Sequence, residues 1–378
     1  MRQYDRDNQM EFNNRILIVD DQSITHEVLT GIFTSAGYTN LAWATNGQSA
    51  LNQVAADPPD LILLDVMMPG MDGFDVCRRL KSDPTTNFIP VVLFTALTDR
   101  DSRLQGLEAG ADDFLSKPVD MAELLARTRS LLKAKRLHDE LTEAVRARVE
   151  FVGQVSHELR TPLFAITGLT EMLFDGEVAD SEDIQRYLRT IYRQARHLGR
   201  LVDDLLDLSR FERGRQHLKF QPLDLWPFLD DTIALMQPQA AERGITLRME
   251  ETPTGLMVLA DEGRLRQVVI NLLNNALQYN NPGGWVEVSA GHEDDSAIIT
   301  VRDNGWGISS TDLPHIFERF YRGQYSQVNS EQRGAGLGLA LAQEIVRAHY
   351  GQITVESEGV SGHGSTFTVR LPAEESYE

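Results

Sequence analysis

Three carboxylates, a hydroxyl and an ammonium recur at one kind of place in the first third of this 378-residue chain. Asp20 and Asp21 close the apolar run RILIVD, Asp65 closes DLILLD, Thr95 closes PVVLFT, and Lys117 follows the run Asp113–Ser116. Carboxylate oxygens are hard ligands of the kind Mg²⁺ takes. A lysine ammonium offers a point charge to phosphate, and a threonine hydroxyl offers a hydrogen bond. An aspartate can also attack a phosphoryl group and become an acyl phosphate. One such Asp alone is accounted for by a helix cap; all five at run ends are not. The runs, with Leu41–Ala44 as a further one, each precede a helix-length segment. This β-α alternation calls for buried parallel strands in a small doubly wound α/β domain, whose carboxyl strand ends form a ligand crevice.

A second constellation lies in FVGQVSHELRTPLFAI, residues 151–166. His157 and Thr161 are four apart and share a helix face. Pro162 sits inside the helical pattern and should bend it there, giving room beside the histidine. Neutral imidazole is a competent nucleophile near neutral pH. Glu158 can hydrogen-bond the other ring nitrogen and fix the tautomer, although as the next residue its direction is not ideal.

Four further clusters follow in order. NLLNNALQY places Asn271 and Asn275 on one helix face, and an amide oxygen suits Mg²⁺. DNGWGI follows an apolar run; Asp303 can accept from an adenine amino group, while Gly305 and Gly307 let backbone approach the base. FERFYR, residues 317–322, mixes aromatic and basic side chains, and GAGLGL, residues 334–339, opens a helix whose amides can face phosphates.

The elements that must position the later clusters differ from those of the first. From Met121 to about Phe174 the chain reads as helix almost without interruption, with Leu137, Leu141, Val145 and Val149 every four residues. A turn near residues 175–181 leads to a second long helix, from Glu182 to about Glu212. Two helices cannot bury two apolar faces, but a dimer can, as a four-helix bundle. Beyond Gln221, strands are expected at 247–250, 285–290, 297–302, 353–357 and 365–371, with helices at 263–279 and 338–350. Antiparallel pairing with helices on one face would make an α+β sandwich.

Composition narrows the partners. The formal charge is -20, so the basic footprint of nucleic-acid binding is missing and an anionic membrane is a poor match. A single cysteine, Cys77, precludes an intrachain disulfide and fits a cytoplasmic setting. No apolar stretch of spanning length occurs, and the polar first fourteen residues read as a flexible tail.

The three groups of motifs each resemble part of one signalling family. VDD, LLDVMMPGMDG, Thr95 and Lys117-Pro118 resemble the response-regulator receiver domain. The resemblance implies that Asp65 accepts phosphate, that Asp20 and Asp21 hold Mg²⁺, and that the Met67 carbonyl completes the metal site. Phe114 stands where the family often has a switch tyrosine. SHELRTPL resembles the dimerisation and phosphoacceptor domain of sensor histidine kinases. This implies that His157 is phosphorylated, with Glu158 as general base and Thr161 orienting water for the reverse reaction. The later clusters resemble the N, G1, F and G2 boxes of the histidine-kinase ATPase fold, closed by Gly364-Ser365-Thr366-Phe367. That implies an ATP site of Asn271, Asn275, Tyr279, Asp303, Gly305, Gly307, Arg322, Gly334, Gly336, Leu337, Gly338 and Thr366, with Mg²⁺ at Asn275 and a lid over residues 309–333. Gln278 replaces a frequent phosphate-contacting lysine and Ala335 a frequent threonine, losses for which Arg322 or Arg333 could compensate.

The expectation is thus a multidomain hybrid sensor histidine kinase. It comprises a tail (1–14), a receiver (15–133), a helical linker (134–150), a dimerisation and phosphoacceptor hairpin (151–213) and an ATP-binding domain (221–375). It would act as a homodimer that passes phosphate to a separate response regulator or phosphotransfer protein, with no nucleic acid or membrane as partner. The rival readings are a phosphatase-dominant or phosphate-sink regulator and a non-catalytic scaffold.

Overall fold

The computed structural model describes residues 13–95, 100–176, 180–212, 218–250, 255–293, 295–323 and 335–373, without the side chains of 100–103 and 212. The expected tail therefore lies almost wholly outside the described residues, as do Arg333, Gly334 and the second half of the expected lid. The chain forms two compact units, Met1–Val149 and Glu150–Glu378.

In the first unit the strands are β1 (Ile16–Val19), β2 (Leu41–Ala44), β3 (Leu61–Asp65), β4 (Val91–Thr95) and β5 (Asp113–Ser116). They pair all-parallel in the order β2-β1-β3-β4-β5. The helices between them are α1 (Ser23–Ser35), α2 (Gly47–Ala56), α3 (Gly73–Ser82) and α4 (Arg100–Glu108). Unbroken apolar strands arise because both sheet faces are covered. Leu17, Ile62 and Leu93 line one core, whereas Ile18, Leu63 and Val92 line the other. Asn46 and Asp72 cap α2 and α3 by accepting from the backbone N–H groups of Ser49 and Asp75. Cys77 is buried on α3, its thiol pushed up to about 11 by desolvation.

The long helix α5 (Met121–Phe174) begins by packing Leu124 and Leu132 into the second of these cores. Phe88 stacks on His138, nearly two turns further on, with centroids 3.9 Å apart. Leu137, Leu141, Val145 and Val149 are exposed.

In the second unit the rest of α5, running through Pro162, is followed by α6 (Ser181–Glu212), and Phe151 and Leu159 of α5 share an apolar cluster with Leu201, Leu205 and Leu208 of α6. The remaining elements are β6 (Gln221–Asp224), α7 (Leu225–Glu242), β7 (Thr246–Met249), β8 (Met257–Ala260), α8 (Glu262–Gln278), β9 (Trp285–Glu293), β10 (Ser296–Asp303), α9 (Gly338–Ala348), β11 (Gln352–Glu356) and β12 (Thr366–Pro372). A five-stranded sheet in the order β11-β12-β10-β9-β7 is covered by α7, α8 and α9. Pairing is antiparallel except between β7 and β9, which run parallel, so the expected all-antiparallel arrangement is corrected at that edge. Strands β6 and β8 form a separate antiparallel pair.

β6, α7 and β8 are not evident from the sequence pattern. Pro222, Pro227 and Pro238 discourage a regular assignment there, yet α7 runs through Pro238. Its buried row Leu225, Phe228, Leu229, Thr232, Ile233, Met236 and Ala240 supplies the packing that overrides propensity. Among the described residues no helix is long and apolar enough to cross a membrane.

Candidate functional site

At the carboxyl ends of the first unit's strands the five expected groups come together. Lys117 Nζ donates to Asp20 Oδ2 and to Asp65 Oδ1, each at 2.9 Å. Asp20, Asp21 and Asp65 offer carboxylate oxygens all within 4.8 Å of one another. Asp20, Asp65 and Thr95 are buried, whereas Asp21 and Met67 are exposed. Burial pushes the Asp65 carboxyl above the usual range; the hydrogen bond and charge of Lys117 oppose this, and Asp20 adds to it. Burial also works against the Lys117 charge, but its bonds to Asp20 and Asp65 prevail and hold its pKa up. An aspartate paired to an ammonium is ordinarily held low, so desolvation and crowding decide here. Three carboxylates against one ammonium leave negative charge to offset, and the donor set fits Mg²⁺. Phe114 is half-buried beside Gly106.

In the second unit His157 stands on α5 with its side chain 78% exposed and Nδ1 3.7 Å from Glu158 Oε1. The Thr161 hydroxyl donates to the His157 carbonyl at 3.3 Å. The imidazole opens on a cavity of about 170 Å³ whose other walls are Gln154, Glu158, Phe320 and Arg322. Arg322, expected at nucleotide phosphates, donates from Nη2 to Glu158 Oε2 at 2.6 Å.

Three side chains of the FERFYR segment, Arg319, Phe320 and Arg322, reach α5 from a backbone held in an uncommon shape. Phe320 has φ 59°, and its N–H donates to the Gly336 carbonyl at 2.9 Å. Gly336 has φ 71°, and a Cβ there would lie 2.8 Å from Phe320 backbone. A non-glycine residue held at positive φ costs about 1–3 kcal/mol and marks a site that the surroundings over-determine. The Phe320 ring meets Phe151 at 5.7 Å. Ala335 and Leu337 pack with Leu201 and Leu208 of α6, so the C-terminal root of the expected lid rests on the helical hairpin. Leu337 thus has its side chain in that apolar cluster. The hairpin is also tied at the start of α8, where Arg264 donates to Asp207 at 2.5 and 3.0 Å.

Asp303 ends β10, and 4% of it is exposed. Gly305 N–H donates to Oδ1 at 2.8 Å and the Ser365 hydroxyl to Oδ2 at 2.7 Å. Each oxygen keeps a lone pair for a further donor such as an adenine amino group. Burial raises the Asp303 carboxyl, against the bonds from Ser365 and Gly305. Gly364, at φ 67°, closes over this carboxylate, where a Cβ would meet the Asp303 carbonyl at 1.9 Å. Tyr279 is half-buried after α8, and Trp306 meets it edge-on while donating Nε1–H to Asn281 at 2.7 Å. Ile308, just after Gly307, is pinned by the Ser357 hydroxyl. Asn271 donates Nδ2–H to the Gly338 carbonyl, joining α8 to the start of α9 and leaving its amide oxygen available. Asn275 is one turn on along α8, half-buried. The first residue flanking α9, Leu337, provides no side-chain cap, so the amides there suit a phosphate. Thr366 begins β12 opposite Arg302. The deep carboxylate, the half-buried aromatics and the uncapped helix start fit a nucleotide.

Sequence reasoning missed three participants. Ser365 lies in the closing Gly364-Ser365-Thr366-Phe367 segment, where the pattern alone gives it no role. The Phe320–Gly336 clasp and the Arg322–Glu158 pair join residues 16 and 164 positions apart, a separation that no local pattern reveals.

The chain matches three family models: Response regulator receiver domain over residues 16–129, His Kinase A (phospho-acceptor) domain over 147–214, and Histidine kinase-, DNA gyrase B-, and HSP90-like ATPase over 260–375. Hybrid signal transduction histidine kinase D of Dictyostelium discoideum is 27% identical, over 94% of this chain and 28% of its own length. Aerobic respiration control sensor protein ArcB of Escherichia coli K12 is 36% identical, over 66% of this chain and 32% of its own. The chain thus spans about a third of the length of these curated relatives. Among solved structures, the Acinetobacter baumannii histidine kinase AdeS is 25% identical, over 58% of this chain and 98% of its own, with a TM-score of 0.48. Receiver, phosphoacceptor and ATPase domains occur together on this one chain, which therefore belongs to the hybrid sensor histidine kinases of two-component signalling.

Proposed function

We propose that this chain is an ATP-dependent protein-histidine kinase that phosphorylates His157 and passes the group to an aspartate of a response regulator. The observation that carries this reading is the exposed His157 imidazole, which shares a small cavity with Phe320 and Arg322 of the ATPase domain. The buried Asp303 carboxylate, taking the adenine amino group, anchors ATP on the other side of that segment. The His157 Nε2 lone pair attacks the γ-phosphorus; the bond to the bridging oxygen breaks, and ADP leaves with the electron pair. The Nδ1 proton passes to Glu158. Such transfer depends chiefly on positioning and charge neutralisation. Mg²⁺, held by the Asn275 amide oxygen, would supply the latter.

The exposed apolar row on α5 supports a homodimer built on residues 134–213, and consumption of ATP suits the cytoplasm. The receiver, residues 15–133, takes phosphate on Asp65; Asp20, Asp21 and the Met67 carbonyl would hold Mg²⁺, which would neutralise the phosphoryl charge, and Thr95 and Lys117 would meet the phosphoryl oxygens. It serves as an input to the kinase, whose phosphate leaves to a separate protein. Labelled ATP tests the whole reading. Wild type should take acid-labile, alkali-stable label, His157→Ala none, and Asp65→Ala should keep it. Label of that type persisting on His157→Ala would remove the proposal.

A further inference from the structure

We infer that Arg322 is a positioning residue for histidine phosphorylation: it holds the Glu158 carboxylate so that one oxygen faces the His157 imidazole. The inference rests on His157 being the acceptor. Neighbouring residues on a helix point about 100° apart, so Glu158 has no intrinsic reason to face His157. A tie from outside the helix supplies one. Arg322 Nη2 takes Oε2 at 2.6 Å, and this turns Oε1 toward His157 Nδ1 at 3.7 Å. That gap is longer than a hydrogen bond. His157 is exposed and can rotate to close it, whereas Glu158 is held.

The pair is shielded, its side chains 28% and 21% exposed, so it is stiffer than a surface ion pair. Its presentation is built into the backbone as well. The left-handed Phe320, clasped by Gly336 and resting on Phe151, sets Arg322 two residues on against α5. The charge of Arg322 is also felt at Tyr279 of the nucleotide cluster and at His197 of α6, so it lies within electrostatic reach of both.

The chemical consequence is specific. With Nδ1–H aimed at Glu158, the lone pair stays on Nε2, the atom that attacks. As the Nε2–P bond forms and the bond to the ADP oxygen breaks, the Nδ1 proton moves to Oε1. The base is therefore complete only while the ATPase domain's FERFYR segment lies on the phosphoacceptor helix.

The test uses the full chain: wild type, Arg322→Gln, Arg322→Lys, Glu158→Gln, and the Arg322→Gln/Glu158→Gln double variant. Initial rates of His157 labelling are read at saturating ATP, and affinity for a non-hydrolysable ATP analogue is read by calorimetry. Each Gln variant should slow labelling on the order of 100-fold, the usual worth of a positioned base. The double variant should be no slower than the slower single, analogue affinity should hold, and Arg322→Lys should recover part of the rate. Retained affinity also shows that the variants fold. If Arg322→Gln weakens analogue binding in proportion to its loss of rate, or if the two losses multiply, Arg322 is a phosphate ligand and the inference falls. Equal labelling of His157→Ala and wild type would instead sink the kinase reading beneath it.

Discussion

Two carboxylates of the second unit are raised first by burial, in different surroundings and with different consequences. Asp303 is raised by burial but is satisfied from Gly305 and Ser365, an environment built around a ligand. Asp303→Ala should weaken ATP-analogue binding by about 1–3 kcal/mol, read by calorimetry, because a buried donor of the base loses its acceptor. Unchanged affinity would dissolve the site. Asp204 on α6 is pushed up to about 6 from 3.8, first by burial and then by Asp207 and Asp203, with Arg200 opposing. The folded state therefore holds this proton more tightly between those pH values, and stability falls as pH climbs through that window. Asp204→Asn should stabilise the second unit by roughly 1–3 kcal/mol at pH 8 and by little at pH 4. Thermal denaturation at both pH values checks the sign. Asp303 was legible from DNGWGI, because that chemistry sits in one short motif. Asp204 was not, because its shift arises from crowding along α6 and from burial that only the fold creates.

Regular elements were legible where one pattern dominated. β2, β5 and α5 have the bounds that their apolar periodicity suggests. Where local and tertiary preferences conflict, as in α7 with Pro227 and Pro238, pattern reading lost the element. The hairpin shows a further limit. The row Leu137, Leu141, Val145, Val149 and Val152, which runs along α5 into the hairpin, is exposed in the single chain. The hairpin's inner row, Leu201, Leu205 and Leu208, instead packs against Ala335 and Leu337 at the C-terminal root of the expected lid. The sequence shows both rows as apolar but not which face each meets. Residues 134–213 alone should form a helical dimer. A monomer at tens of micromolar concentration in a sedimentation experiment would contradict the bundle, since a solvated row of this length ordinarily finds a partner.

At the scale of the molecule, α5 carries residues of both units without interruption from Met121 to Phe174. If Asp65 phosphorylation reaches His157 by a turn of this helix, beryllofluoride should change the initial rate of His157 labelling severalfold. Two residues inserted near Arg146 should abolish that response, since they rotate the downstream helix by about 200°. Seven inserted residues, close to two full turns, should largely preserve it. A response indifferent to both insertions would exclude the helix as the route. The same chain is unusually well prepared for such work in one respect. Its sole cysteine, Cys77, is buried, and its thiol, pushed up to about 11, stays protonated at neutral pH. Native protein should take up no maleimide and denatured protein one equivalent, as mass spectrometry would show. The wild-type chain is then a silent background for thiol chemistry. A spin label or dye attached at an introduced surface cysteine would report from that position alone, without first engineering a cysteine-free parent.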